Sequence, residues 1–277
     1  MRIPPWIKLA ALLSVSLLLV ACNKSPDGQS SSGAVVLSAL FDPRDIVAQY
    51  VKYKKYDTDN ACQIRVEEGI SFCVQMDEAI INREHGANYI YAVENGYPLD
   101  EKNKRADFHA AAGSIKFFKF ELGKDNKLKL IAESDVVLCG PYGGTCGGIT
   151  YKYGKGPELA WRVVTGDMHQ GHAYAAMMLF APVKNKILPV FTMQTDYSNE
   201  NGLFNDDPGA VISIFSSTVT TVPNSGDDFH DLIVLVTGKN IKNKKETAFS
   251  QEFTLKFDKN SNKFDTQSIT KALEGLH

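Results

Sequence analysis

Apolar and polar positions along the chain follow two periods. Asp42-Pro43 opens a short segment in which Ile46, Val47, Tyr50 and Val51 recur at helical spacing. Asp is a good N-cap, and proline fits the first helical position, where its missing N–H costs no bond. The spacing predicts one short helix, with the segment ending near Asp57. Beyond it the period shortens to two. Residues 63–68 and 70–76 read as a hairpin, and 88–93 (NYIYAV) as a strand closed by Glu94-Asn95-Gly96. Residues 114–122 and 128–132 form two strands around a turn at 123–127. Strands at 159–164, 173–180 and 187–194 follow at hairpin spacing, and those at 210–219, 231–237 and 248–257 complete the series. Residues 266–276 form a possible short C-terminal helix. The pattern predicts a mainly β fold, an antiparallel sandwich or barrel-like succession of hairpins with a short N-terminal helix. Partial-propeller geometry is the alternative.

The amino end follows neither period. Arg2 and Lys8 precede an uncharged run at 9–20 (LAALLSVSLLLV), twelve residues long. That is too short to cross a hydrocarbon core of about 30 Å as a helix, and it fits the apolar part of an export signal. The run ends in Leu19-Val20-Ala21-Cys22, which resembles the lipobox of bacterial lipoproteins. The resemblance implies cleavage after residue 21, a diacylglyceryl thioether on Cys22 and acylation of its freed amine. Several acyl chains anchor stably where one does not, since each buried CH₂ contributes roughly 0.8 kcal/mol. It also implies outer-membrane residence, because Asn rather than Asp follows the cysteine. Residues 23–33 (NKSPDGQSSSG) are polar, rich in Ser, Gly and Pro, and read as a flexible tether. The organisation expected is a signal peptide at 1–21, a lipidated tether at 22–33 and one β-rich domain at 34–277.

Charge narrows the partners. Without Arg2 and Lys8, 28 of the 30 basic residues remain against 32 acidic ones, a net charge of −4. This is not a nucleic-acid-binding balance. Five cysteines are odd in number for an exported chain, and assigning Cys22 to lipid leaves four. Four cysteines allow three pairings in an oxidising compartment. Cys62–Cys73 and Cys139–Cys146 close the shortest loops and are the expected disulfides. A two-residue turn at Glu67-Glu68 sets Cys62 opposite Cys73. Pairing Ile64 with Phe72 needs a three-residue turn instead, and the two registers exclude one another.

A second, looser resemblance rests on GSIxFF from Gly113, WRVV from Trp161 followed by GDMHQG from Gly166, and DLIVLVTG from Asp231. In this order they look like uncharacterised exported bacterial proteins built of successive hairpins. That implies a β-rich fold and no particular activity.

Candidate chemistry is sparse. Asp167, His169 and His172 place three metal-type ligands within six residues, and imidazole suits zinc or copper. A strand through them would split the histidines across two faces, so only a tight loop at Gln170-Gly171 could converge all three. No second histidine pair stands nearby in the sequence, though the fold could bring His109 and His230 to the cluster. Residues 196–207 (DYSNENGLFNDD) carry oxygen ligands but miss the EF-hand spacing, and read as an acidic surface loop, as does the 227–231 stretch. Residues 139–148 (CGPYGGTCGG) are glycine-rich without the Lys-Ser/Thr of a phosphate loop, and read as a stapled β-loop displaying Tyr142. Trp161, Tyr151 and Tyr153 suit a β-core or the wall of a groove. The sequence holds no GxSxG, HExxH, CxxC or Walker motif. The leading expectation is a membrane-anchored, non-enzymatic lipoprotein without a cofactor that binds a protein or envelope polymer, or serves envelope assembly. The alternatives are a metal-assisted hydrolase centred on Asp167, His169 and His172, and an enzyme inhibitor.

Overall fold

The structure, a computed structural model, describes residues 42–51, 53–108, 111–140, 146–154, 156–202, 210–223 and 229–274. The expected signal peptide, Cys22 and the tether lie outside the described residues, as do His109 and Tyr142. Asp42 caps helix α1 (Pro43–Tyr50), its carboxylate accepting from the Arg44 N–H at 2.9 Å. The helix stops well before Asp57. The Val51 N–H bonds back to Val47, and the chain extends into β1 (Lys55–Asp57), which pairs with β2 (Cys62–Glu67). Val47 is fully buried, and Tyr50 sets its ring edge-on to Phe120 at 4.9 Å, so α1 packs on the sheet.

Strands then follow one another: β3 (Ile70–Glu84), β4 (Ala87–Pro98), β5 (Gly113–Leu122), β6 (Leu128–Glu133), β7 (Val137–Cys139) and β8 (Gly147–Tyr151). Next come β9 (Ala160–His169), β10 (His172–Val183), β11 (Lys186–Ser198), β12 (Val211–Val222), β13 (Asp231–Lys242) and β14 (Lys245–Leu255). These fourteen belong to one sheet; β15 (Phe257–Asp258) and β16 (Lys263–Phe264) pair separately, and α2 (Gln267–Glu274) ends the series. The protein is mainly β, with a short helix near each end of the described chain. A propeller would hold separate blades; here the ladders run continuously, which replaces the propeller alternative. All ladders are antiparallel except one parallel bridge, Lys186↔Glu133, between β11 and β6. No helix among the described residues is long and apolar enough to cross a membrane.

Tight turns explain the long hairpins. Glu68-Gly69, His85-Gly86 and Gln170-Gly171 all have positive φ at both residues, the geometry that matches the right-handed twist of two paired strands. The first of these corrects the expected register. The turn lies at Glu68-Gly69, one residue beyond the expected Glu67-Glu68, so Ile64 faces Cys73 and Arg65 faces Phe72. Neither sequence-based register holds. Cys62 and Cys73 lie diagonally on one face of the hairpin, bridged with their Cα atoms 5.5 Å apart. Cys139 and Cys146 are bridged across 5.6 Å, joining the end of β7 to the start of β8.

Glu94-Asn95-Gly96 does not close a strand. β4 runs through it to Pro98, because a side chain at Gly96 would meet Val74 Cγ1 at 2.6 Å and Ser114 Oγ at 2.9 Å. Glycine here marks close approach of neighbouring strands.

The sheet folds over so that β4 and β5 pack against β9 and β10. Trp161 is fully buried, 5.1 Å from the Phe117 ring and 5.2 Å from Tyr91, and Phe180 lies 5.0 Å from Phe117. A second core joins Leu179, Phe191, Phe215, Val234 and Leu255 to Ile269 and Leu273 of α2.

Candidate ligand-binding site

The β9–β10 hairpin presents the three sequence-nominated ligands. Because the turn is Gln170-Gly171, His169 pairs directly with His172 and Asp167 with Tyr174. Directly opposed residues share a face, so Asp167, His169 and His172 stand on one side of the hairpin. The expected split of the histidines holds only for an unbroken strand, and the turn removes it. A side chain at Gly171 would run into the Asn201 carbonyl, so glycine lets the hairpin tip seat against the turn after β11.

Convergence stops short of a metal centre. The Asp167 carboxylate accepts the Met168 N–H at 2.7 Å and, weakly, the Tyr174 hydroxyl at 3.4 Å. His172 Nδ1 lies 3.0 Å from the Tyr197 hydroxyl. Burial holds the Tyr197 phenol above its ordinary pKa; burial and then the Asp167 charge do the same for Tyr174. Among the described residues, no group of three or more His, Cys, Asp or Glu is placed to hold a metal ion.

From Asp167 one cross-strand row continues through Tyr174, Tyr197, Phe215 and Gly238 to Phe249, crossing β9 to β14. Tyr197 and Phe215 stack at 5.8 Å. A Cβ at Gly238 would meet the Phe249 ring at 2.5 Å and Phe215 Cβ at 2.7 Å, so the row closes over the missing side chain. A groove of about 680 Å³ follows this row across β10–β14. It takes in Ala175, Ser198, Ser216 and Ala248, with the Lys239–Glu246 ion pair (3.0 Å) at one end. Small side chains among its lining leave the groove open to solvent.

Two buried polar networks escaped the sequence reading. In the first, Lys119 Nζ bonds Glu84 Oε2 at 2.6 Å and lies over the Tyr89 and Tyr91 rings at 4.6 and 5.0 Å. Asn82 donates to Glu84 Oε1 and to the Pro157 carbonyl, and the Leu159 N–H donates to the Tyr91 hydroxyl at 3.2 Å. Burial, then the hydrogen bond with Glu84, pushes the Tyr91 pKa far up. In the second, Glu94 is fully buried, ion-paired with Arg65, and accepts the Tyr53 hydroxyl at 2.6 Å; Arg65 also donates to Ser114 at 2.9 Å. One sequence signal pointed to the first network: Lys119 interrupts an otherwise apolar alternate row, Ile115 and Phe117. The second had none, since Glu94 sits in a tripeptide that reads as a turn.

The folded antiparallel sheet, its cross-strand groove and its two cystine staples define a stapled β-protein with an open surface groove and buried charge. No known protein family, curated protein or solved structure matches the chain.

Proposed function

We propose that this chain is a lipid-anchored protein of the bacterial envelope, most consistent with the outer membrane, whose β-domain acts as a non-enzymatic binding or assembly module. The observation that carries the reading is the run of a basic start, twelve apolar residues and Leu19-Val20-Ala21-Cys22, followed by a polar tether. Nineteen residues lie in the sequence between Cys22 and Asp42, the cap of the first described helix. The groove across β10–β14 supports a binding role: it is open to solvent and crosses five strands, as an extended protein segment or envelope polymer requires.

Growth with an alkyne-tagged palmitate tests the anchor. The wild-type chain incorporates label and partitions into detergent, whereas Cys22→Ala remains an unlabelled, uncleaved precursor. Normal processing and detergent partitioning of Cys22→Ala would overturn the reading.

A metal-assisted hydrolase centred on Asp167, His169 and His172 is the second reading. The direct pairing of His169 with His172 favours it. The bonds already made by Asp167 and His172 count against it.

A further inference from the structure

We propose that two copies of this chain pair edge to edge through β14, antiparallel about Gln251, so that the sheet of one copy continues into the other. The proposal rests on the edge of β14 and does not depend on the lipid anchor.

The free edges of the sheet are unequal. β1 and β8 end it with three and five residues, whereas β14 offers eleven and pairs only with β13 among the described residues. A long, regular edge recruits further strands, and most edges are shortened, bulged or interrupted by proline to prevent it. β14 has none of these devices. Its register with β13 is unbroken from Lys245 to Leu255, it contains no proline, and eight of its eleven residues are exposed. The Asn243-Lys244 turn has positive φ at both residues, which makes Lys242 and Lys245 the first hydrogen-bonded pair of the hairpin. Bonding to β13 therefore falls on the odd-numbered residues of β14. Glu246, Ala248, Ser250, Glu252 and Thr254 turn their N–H and C=O groups away from β13, toward the open edge.

Side chains select a second copy as the occupant. Two identical antiparallel strands related by a two-fold axis oppose residues of the same face, so the axis passes through a residue and not between two. With the axis at Gln251, Phe249 of one copy stands opposite Phe253 of the other, and Glu246 opposite Lys256, each pair occurring twice. Both phenylalanines are half-buried against the core beside β13, and the pairing covers their open sides. Neighbouring registers lose this match. An axis at Phe249 sets Glu246 against Glu252, and one at Glu252 sets that carboxylate against its own copy. An axis at Ser250 faces the phenylalanines with Thr247 and Gln251 and pairs no charges. Opposed aromatic and opposite-charge pairs stabilise adjacent strands, whereas like charges directly opposed destabilise them. β14 is thus complementary to itself in charge and in backbone, as a two-fold interface requires.

Sedimentation equilibrium of the full chain, in density-matched detergent with micelles in excess, tests this. The expected result is a reversible dimer. Ser250→Pro removes an outward N–H and no bond to β13, and gives a monomer. Should that variant unfold, charge reversal replaces it: Lys256→Glu weakens association severalfold, and Glu246→Lys added to it restores association. Oxidative cross-linking reads the register. Gln251 opposes itself in a non-hydrogen-bonded pair, whose Cα atoms lie about 4.5 Å apart, within reach of a disulfide. Gln251→Cys therefore yields a covalent dimer, and Ser250→Cys, which faces Glu252 of the other copy, does not. A monomer at every concentration, a dimer unaffected by Lys256→Glu, or equal cross-linking through Ser250→Cys would overturn the proposal.

Discussion

Lys119 and Glu84 lie on β5 and β3, strands that are not neighbours, and their ion pair spans β4 to join them at 2.6 Å. The bridge passes over Tyr91, whose hydroxyl also holds the segment leading into β9. Glu84 is 2% exposed, so neither charge has water to fall back on. Removing one partner of such a pair costs about 3–5 kcal/mol, because the other charge stays buried alone. Lys119→Met is therefore expected to lower unfolding stability by that order. Glu84→Gln combined with Lys119→Met should recover much of it. Urea unfolding of the two variants decides: equal losses in the single and double variants would show that the pair is not coupled.

Tyr53 gives an alkaline signature. Its hydroxyl donates to buried Glu94, and burial pushes its pKa from 10.0 up to about 12. The unfolded chain then ionises Tyr53 at lower pH than the folded one. Its stabilising contribution is whole below pH 10 and is lost as pH rises from about 10 to 12. Urea midpoints measured at pH 9 and pH 11 should fall more for the wild type than for Tyr53→Phe. An identical fall in both would assign the alkaline loss to other groups.

The hairpin tip separates the two functional readings by metal content. A zinc site needs several ligands within about 2.0–2.3 Å, usually in tetrahedral array. With Asp167 taken by Met168 and Tyr174, and His172 by Tyr197, protein purified without an affinity tag is expected to carry no stoichiometric metal. Elemental analysis alongside a His169→Ala/His172→Ala control is the measurement. One equivalent of zinc, lost in the double variant, would put the hydrolase first.

Legibility in the sequence tracked local chemistry. Asp42-Pro43 announced α1, and alternation located most strands, because caps and pleats act over a few residues. Strand length was harder to see. β3 runs fifteen residues with a bulge at Met76/Glu78, and alternation breaks at a bulge. Gly96 looked like a turn because the sequence cannot show Val74 and Ser114 closing on it from the two flanking strands. The cysteine hairpin was misregistered for a related reason: Glu67, Glu68 and Gly69 permit several turns, and the pair Glu68-Gly69 takes the one with two positive φ angles. At the candidate site, Asp167, His169 and His172 were visible as residue types, but their common face depended on which residues made the turn. Lys119 showed only as a break in the apolar row of Ile115 and Phe117, and Glu84 and Glu94 were hidden, because period two tells which residues share a face and not what covers it.

The single parallel bridge between Lys186 and Glu133 also has a meaning in time. Most other ladders join strands adjacent in the chain, whose ends meet after short loops at little entropic cost. Hairpins such as β3–β4, β9–β10 and β13–β14 can therefore zip locally, while the two halves of the sheet meet only across long stretches of chain. The event expected to come late is the docking of Trp161 onto Phe117, whose rings lie 5.1 Å apart where the face of β9 closes over that of β5. Rate measurements should find Trp161→Phe accelerating unfolding with little effect on refolding, whereas weakening the β3–β4 hairpin should slow refolding itself. A large slowing of refolding by Trp161→Phe would place the closure early. In the expected order, the chain passes through a stage of formed hairpins whose apolar faces have not yet met, and that is the stage most exposed to aggregation.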